Sequence, residues 1–321
     1  MRTAISSMNE VRHAQYVMGT VVEIAAQGNE TVREAVYCAM REFERLERMF
    51  SRFDPSSELS YVNREAAVSR ARVSKEFFDV ASRGLDYSAR SQGCFSISMG
   101  ALNELWERCA LEERLPEPVE IEAARELAKH ERIRIDANEL SVHFAAEGVA
   151  LDFGGLVKGY AVDRAAEALQ QGGVDRATIN AGTSSIRVIS ASGDEPSEFC
   201  LRHPLREEST AGILSIMNQA LSASGTYEHQ FVIAGRTFSH LLDPKSGIPF
   251  ELIGSATAVC ESAMLAEAAS KILLFAGCER GMEIFDANGW EIEGVTMISN
   301  DGATLEVTHN KSLPIRLAVD D

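Results

Sequence analysis

The sequence has little of what marks membrane, disulfide-framed or nucleic-acid-binding proteins. No apolar run approaches the ~20 residues needed to cross a bilayer. The opening MRTAISSMNEVRHAQY has no apolar core, so it does not read as a secretory signal. As the sequence stands the expectation is a cytoplasmic protein, Met1 favouring that over a removed export segment. No C-x-x-C occurs among Cys38, Cys94, Cys109, Cys200, Cys260 and Cys278, which argues against both a zinc site and a redox pair. Most of these cysteines are expected to be buried and reduced. Basic charge is also short, with 31 Lys+Arg against 48 Asp+Glu and a net charge of −17. A duplex-binding protein needs a basic face, so nucleic acid is excluded as the expected partner. The same deficit sets a condition: a phosphate-bearing ligand would have to meet local positive charge or a metal.

What is present reads as an ordinary globular chain. Hydrophobic residues make up 45% and charged residues 25% of the 321 positions, enough for one large domain or two intimate ones. His13 to Ala25 reads as a first strand, with a bulge as the plain account of Met18-Gly19-Thr20. Val36, Met40, Phe43, Leu46, Met49 and Phe50 stand at helical spacing and predict a helix over 31–50. A turn at Asp54-Pro55-Ser56 leads into a short helix, and helices follow over 75–91, 101–109 and 121–130. A hairpin over 132–144 turns at Ala137-Asn138. Beyond residue 150 strands dominate: 177–182, 186–189, 198–202, 212–217, 231–234, 236–242, 255–261, and short closing strands near 295–298, 304–307 and 315–319. Helices are predicted there over 156–169, 263–275 and 279–287, while the small residues of 221–227 read as a loop. The fold class is α+β, helix-rich before residue 150 and strand-rich after it.

The chain is organised around Leu151 to Asp163, LDFGGLVKGYAVD. It reads as a short buried strand, a glycine pair and an abrupt helix start. Asp152 at the strand end, backbone N–H groups at the helix N-terminus and Lys158 in its first turns suit a phosphate. A tight β-to-α turn with no ligand accounts for the same residues. His240, in SHLLDPKSG, suits proton transfer near neutral pH; a structural histidine capping a turn is the competing account. Asp243-Pro244 sets that turn, and Lys245 reaches a phosphate or only solvent. Phe53 reads more readily as a core anchor than as a ligand contact. In the apolar helix after Ser262, Glu267 needs a partner. Either Glu267, Ser270 and a carbonyl near Gly155 hold Mg²⁺, or Glu267 pairs with Lys271 at i,i+4 and needs no metal.

Taken together, MGT at 18–20, SRFDPSSELSYVN at 51–63, GCFSISMGALNELW at 93–106, LDFGGLVKGYAVD at 151–163, INAG at 179–182, SASGTY at 222–227, SHLLDPKSGIP at 239–249 and SAMLAEAASK at 262–271 resemble the FAD:protein FMN transferases, the ApbE-like flavin transferases. The pieces run in family order over nearly the whole chain. The resemblance implies one ApbE-like, T-fold-like domain over 1–321, with antiparallel strands in its second half. It implies an FAD substrate, a divalent metal, usually Mg²⁺, and a protein acceptor. A Ser/Thr hydroxyl of that acceptor attacks the FMN phosphorus and AMP leaves, a reaction run by positioning and charge neutralisation. Some relatives instead hydrolyse FAD to FMN and AMP, and a non-catalytic flavin binder is a third reading. Carried over by position, His240 is the base. Met18 and Phe53 contact flavin or adenine rings, Phe95 and Ser96 line the FAD pocket, Asp152 binds the nucleotide with Lys158 nearby, and Leu241 meets FAD through its backbone. Gly155, by its carbonyl, and Glu267 are the implied metal contacts.

The sequence departs from the family pattern at the metal site. Where Ala-Asp-Ala-x-Ser-Thr is usual, it reads Ala266-Glu267-Ala268-Ala269-Ser270-Lys271. Glutamate reaches ~1.5 Å further than aspartate, and a protonated lysine cannot ligate. Phe-Asp-Ile-Thr is here Phe95-Ser96-Ile97-Ser98, and INAG is followed by Thr183-Ser184-Ser185. The expectation is that Lys271 takes over part of the metal's charge and that the Mg²⁺ requirement is altered or absent.

Overall fold

The computed structural model describes residues 9–310 and 312–318. The opening residues 1–8 and the end of the last predicted strand at Val319 lie outside them. A hairpin of β1 (Asn9–Val17) and β2 (Thr20–Gly28) leads into α1 (Val32–Phe50) and α2 (Glu58–Glu65). Then come β3 (Ala71–Arg72), α3 (Lys75–Arg90), α4 (Gly100–Leu111), α5 (Pro118–Leu127) and the hairpin of β4 (Ile133–Asp136) and β5 (Ser141–Phe144). After α6 (Val157–Gln171) follow β6 (Val174–Ala181), β7 (Ser185–Ile189), β8 (Ser197–Arg202), β9 (Thr210–Ile216) and β10 (Ala220–Gly225). A further hairpin, β11 (Gln230–Ile233) and β12 (Arg236–Ser239), precedes β13 (Ile253–Cys260) and α7 (Ala263–Ala276). The described chain closes with α8 (Cys278–Asn288), β14 (Glu293–Ser299), β15 (Glu306–His309) and β16 (Ile315–Leu317).

The frame is an eight-stranded antiparallel sheet in the order β1-β2-β6-β7-β10-β13-β14-β15. One face carries the main core, where Phe43, Phe77, Phe153, Leu156, Ala165 and Leu273 are buried against it. The other face is covered by the sheet β16-β9-β8, with Ile186, Leu221 and Val295 meeting Leu201, Leu214 and Ile216. A third cluster joins α4 and α5 to the β11–β12 hairpin around Trp106, Phe231 and Phe238. Cys94, Cys109, Cys260 and Cys278 are buried and Cys38 is half-buried, but Cys200 is exposed; all six are free thiols. No helix among the described residues is long and apolar enough to cross a membrane.

Three sequence expectations change. Residues 13–25 are not one bulged strand but the two arms of a hairpin. Met18 and Gly19 both take positive φ, 54° and 73°, as a two-residue primed turn requires. Residues 221–227 are not a loop: most of them form β10, in the middle of the large sheet. Its Ser222 and Ser224 hydroxyls meet Ser270 of α7, while Leu221 faces the second sheet. The side chains are small because a helix lies close over that face. Finally, Leu151–Phe153 belongs to no strand or ladder. The Asn63 side chain clasps Leu151, donating to its carbonyl (2.9 Å) and accepting from its N–H (2.8 Å), and Asp152 N–H donates to Ile97 O.

The helices α6 and α7 cross closely, because Gly159 leaves no side chain between α6 and the Ala263 carbonyl. Asp163 then caps α7 from α6. Its carboxylate accepts from Ala263 N (2.8 Å), Met264 N (3.0 Å) and the Ser262 hydroxyl (2.8 Å), satisfying the orphan donors of that helix start. Burial pushes the Asp163 pKa up, against those hydrogen bonds. Asp163→Ala is expected to cost about 1–2 kcal/mol, the range for losing a cap, read as a lower urea midpoint at unchanged slope.

Candidate functional site

The start of α6 is held against the middle of α7, beside the β6–β7 turn. Leu156, at the N-cap position of α6, makes no side-chain cap; Val157 N–H donates to Phe153 O, and the N–H groups that follow it have no capping side chain. That is the condition under which a helix start attracts an anion. Before it, Asp152 does not point at an empty turn. It accepts from Gly154 N (2.7 Å) and from the Asn103 amide (2.8 Å), and Arg52 Nε lies 3.6 Å away.

Glu267 is the centre of the charge arrangement. It is 4% exposed. Lys271 Nζ lies 2.9 Å from its Oε2 and also donates to its backbone carbonyl. Its Oε1 accepts from the Ser185 hydroxyl and lies 3.4 Å from Lys158 Nζ. Lys158 donates in turn to Ser184 (2.6 Å). Burial pushes the Glu267 carboxyl up, but the charges of Lys158 and Lys271, with the hydrogen bonds from Ser185 and Lys271, outweigh it and hold the pKa well below the usual carboxylate range. The carboxylate is therefore ionised at neutral pH, with a lysine at each oxygen.

This donor set does not fit a divalent cation. Mg²⁺ takes several oxygen ligands in near-octahedral order, usually including one or two carboxylates. Both Glu267 oxygens are taken by protein donors, and Ser270 already bonds Glu267 O and Ser224. The Lys271 stem lies over Gly155, where an added Cβ would come within 2.8 Å of its Cε. Lysine thus occupies the space between the two implied metal contacts, Gly155 and Glu267. Among the described residues no cluster of three or more His, Cys, Asp or Glu stands in metal-binding proximity.

His240 follows β12 and faces His229, the rings meeting edge-on with centroids 5.2 Å apart. His240 Nδ1 lies 2.8 Å from the His229 carbonyl, which also accepts from His240 N–H. A carbonyl only accepts, so Nδ1 carries the hydrogen and Nε2 carries the lone pair. The His240 side chain is exposed, yet its surroundings lower its pKa: desolvation comes first, the charges of His229, Lys271 and Lys158 act in the same direction, and the hydrogen bond to the His229 carbonyl opposes them. A neutral imidazole with a free Nε2 is the form a general base needs. Asp243 builds the following turn, as expected, by accepting from Lys245 N and Ser246 N. Lys245 reaches neither solvent alone nor the lysine pair: its Nζ lies 3.4 Å from Cys94 Sγ.

The other expected site residues divide. Phe53 is no core anchor; it is 79% exposed, with the Arg52 guanidinium 4.4 Å over its ring. Met18 is half-buried in the hairpin turn, and its N–H donates to Glu47. Ser96 is half-buried and bonds Ser98. Phe95 is buried in the main core, so its ring is not on a solvent-facing wall. Leu241 has partners at both backbone groups, its N–H to Ser239 Oγ and its carbonyl from Phe250 N, so a ligand would have to share them. Sequence reading missed Arg52, Asn103, Ser184, Ser185 and His229 as site neighbours. Arg52 adjoins Phe53 in a quoted motif and was within reach; His229 carries no local signal.

A family model described as the ApbE family matches residues 18–295. The chain belongs to the ApbE family. Among ApbE-family relatives, it is 28% identical over 310 residues to a Rhodobacter capsulatus protein named FAD:protein FMN transferase, covering 94% of this chain and 58% of that one. A Klebsiella pneumoniae protein of the same name is 27% identical over 227 residues, 70% of each chain. The fold matches the ApbE protein of Thermotoga maritima with a TM-score of 0.84 at 23% identity, over 95% of this chain and 98% of that one. It matches the flavin transferase ApbE of Vibrio cholerae with a TM-score of 0.80, also at 23% identity, over 95% and 98%. These matches bear out the α+β, ApbE-like expectation for the fold.

Proposed function

We propose that this chain, as one domain, moves FMN from FAD to a Ser/Thr hydroxyl of an acceptor protein and releases AMP. The observation that carries the reading is the His240 arrangement, a histidine held in one tautomer by the His229 carbonyl, with Nε2 left to accept a proton. The relatives' names supply the substrate class. In this reading the acceptor oxygen forms a bond to the FMN phosphorus as the P–O bond to AMP breaks. The hydroxyl proton passes to His240 Nε2, and AMP leaves with the bridging oxygen. Lys158, Lys271 and the N-terminus of α6 face the diphosphate. Asp152, oriented by Asn103 and Gly154, holds the nucleotide, and Met18 and Ser96 border it.

The test is to incubate the protein with FAD, with and without a Ser/Thr acceptor peptide, and to follow AMP and FMN by chromatography. AMP release that requires peptide, with FMN found on the peptide, is the expected result. Free FMN without peptide would make the protein a hydrolase, and intact bound FAD in every tube a binder.

Phe53 supplies a separate prediction. An exposed ring under a guanidinium is a stacking platform for a flavin or adenine. Phe53→Ala is expected to raise the Kd for FAD about 3- to 10-fold, the factor for a stacking contact of ~0.5–1.5 kcal/mol. Because the ring lies outside the core, the melting temperature should not move.

A further inference from the structure

We infer that the ammonium groups of Lys158 and Lys271 bind the diphosphate directly in place of a divalent cation, so that FAD binding and turnover proceed without metal. The inference rests on the flavin-transfer reading and adds what neutralises the substrate's charge.

The layering of the site carries it. The Glu267 side chain is 5% exposed, while those of Lys158 and Lys271 are 22% and 16% exposed. The carboxylate is therefore the most buried member of the trio, and both lysine side chains reach closer to solvent than it does. Two ammonium charges against one carboxylate leave a surplus of one positive charge, and the start of α6 adds partial positive charge.

Donor capacity points the same way. Each ammonium carries three donors. Lys271 directs two to Glu267, at Oε2 and the backbone carbonyl, and Lys158 directs one to Ser184 while lying 3.4 Å from Glu267 Oε1. Donors remain on both for phosphate oxygens. Ser185 and Glu267 hold the pair in place from beneath, and Gly155 leaves room for the Lys271 stem. In an acidic chain of net charge −17, this answers how an anionic nucleotide is held.

The reaction balances without metal. The acceptor oxygen bonds to phosphorus, the bond from that phosphorus to the AMP oxygen breaks, and the proton goes to His240. The charge growing on the leaving phosphate is met by ammonium groups.

The experiment titrates FAD into the wild-type protein by flavin fluorescence, in EDTA and in Mg²⁺, and measures AMP release with an acceptor peptide under both conditions. Affinity and rate are expected to be the same in EDTA as in Mg²⁺. Lys271→Thr is expected to weaken FAD binding in EDTA by about 10- to 100-fold, the factor for a hydrogen bond to a charged group. A thermal melt checks that this variant is folded, and Lys158→Met supplies an independent second variant with the same expected loss. Wild-type binding or turnover that requires Mg²⁺ would overturn the inference while leaving the flavin reading intact. Variants that bind FAD in EDTA as tightly as wild type would overturn it too. FAD that binds under neither condition would instead remove the flavin reading itself.

Discussion

His240→Asn should lower peptide-dependent AMP release from FAD by about 10²–10⁴-fold, the usual contribution of a positioned general base, with FAD binding retained. The direction follows from the tautomer. The His229 carbonyl accepts from both His240 N–H and Nδ1–H, which leaves Nε2 as the proton acceptor. Asparagine keeps a donor toward that carbonyl but has no basic nitrogen. A merely structural histidine would show the reverse pattern, with unchanged turnover in the asparagine variant and a lower melting temperature. The pH profile is a second readout. Because the His240 pKa is lowered below the ordinary histidine value, the base is neutral further into the acid range than a free imidazole. The acid limb of kcat/KM, which reports free enzyme, should fall below the ordinary histidine value, and the profile should be flat through neutrality. A limb near the ordinary histidine value would mean that the lysines and the pocket walls do not act on His240 as the structure implies.

Gly159→Ala should destabilise the protein by about 3 kcal/mol or more, at the upper end for overpacking. The added Cβ would lie 2.3 Å from the Ala263 carbonyl oxygen and 2.8 Å from Glu267 Cγ. The first is backbone and cannot rotate away, so the helices must separate. In an exposed helix the same change would be stabilising, since alanine is the better helix former; the sign here is set by the crossing alone. Separation also draws Lys158 away from Glu267, so FAD affinity should fall together with the urea midpoint. A variant as stable as wild type would show that α6 and α7 do not meet as closely as described.

Much of the fold was legible locally. Apolar spacing marked α1 because Val36, Met40, Phe43 and Leu46 repeat along one buried stripe. Turn residues located α2, after Asp54-Pro55-Ser56, and the β4–β5 hairpin, around Ala137-Asn138. The failures came where tertiary surroundings replaced the expected pattern. Ser222 and Ser224 look like loop residues, yet a close-packed helix makes small side chains right for a central strand. Phe53 looks like core material, but it sits where the chain turns out to solvent.

The sequence by itself determined most helices, the ordered motifs and the two departures, Glu267 and Lys271, whose i,i+4 spacing already made them partners. Local rules suffice there because helix periodicity and neighbouring side chains act within a turn or two. Tertiary structure alone decided that Lys158, over a hundred positions before Glu267, makes the second half of the ammonium pair. It also decided that Asp163 caps a distant helix and that the His229 carbonyl sets the His240 tautomer. Those relations depend on how closely α6 can approach α7 and on which carbonyl a folded loop presents. Such distances arise from packing, and no spacing along the chain encodes them.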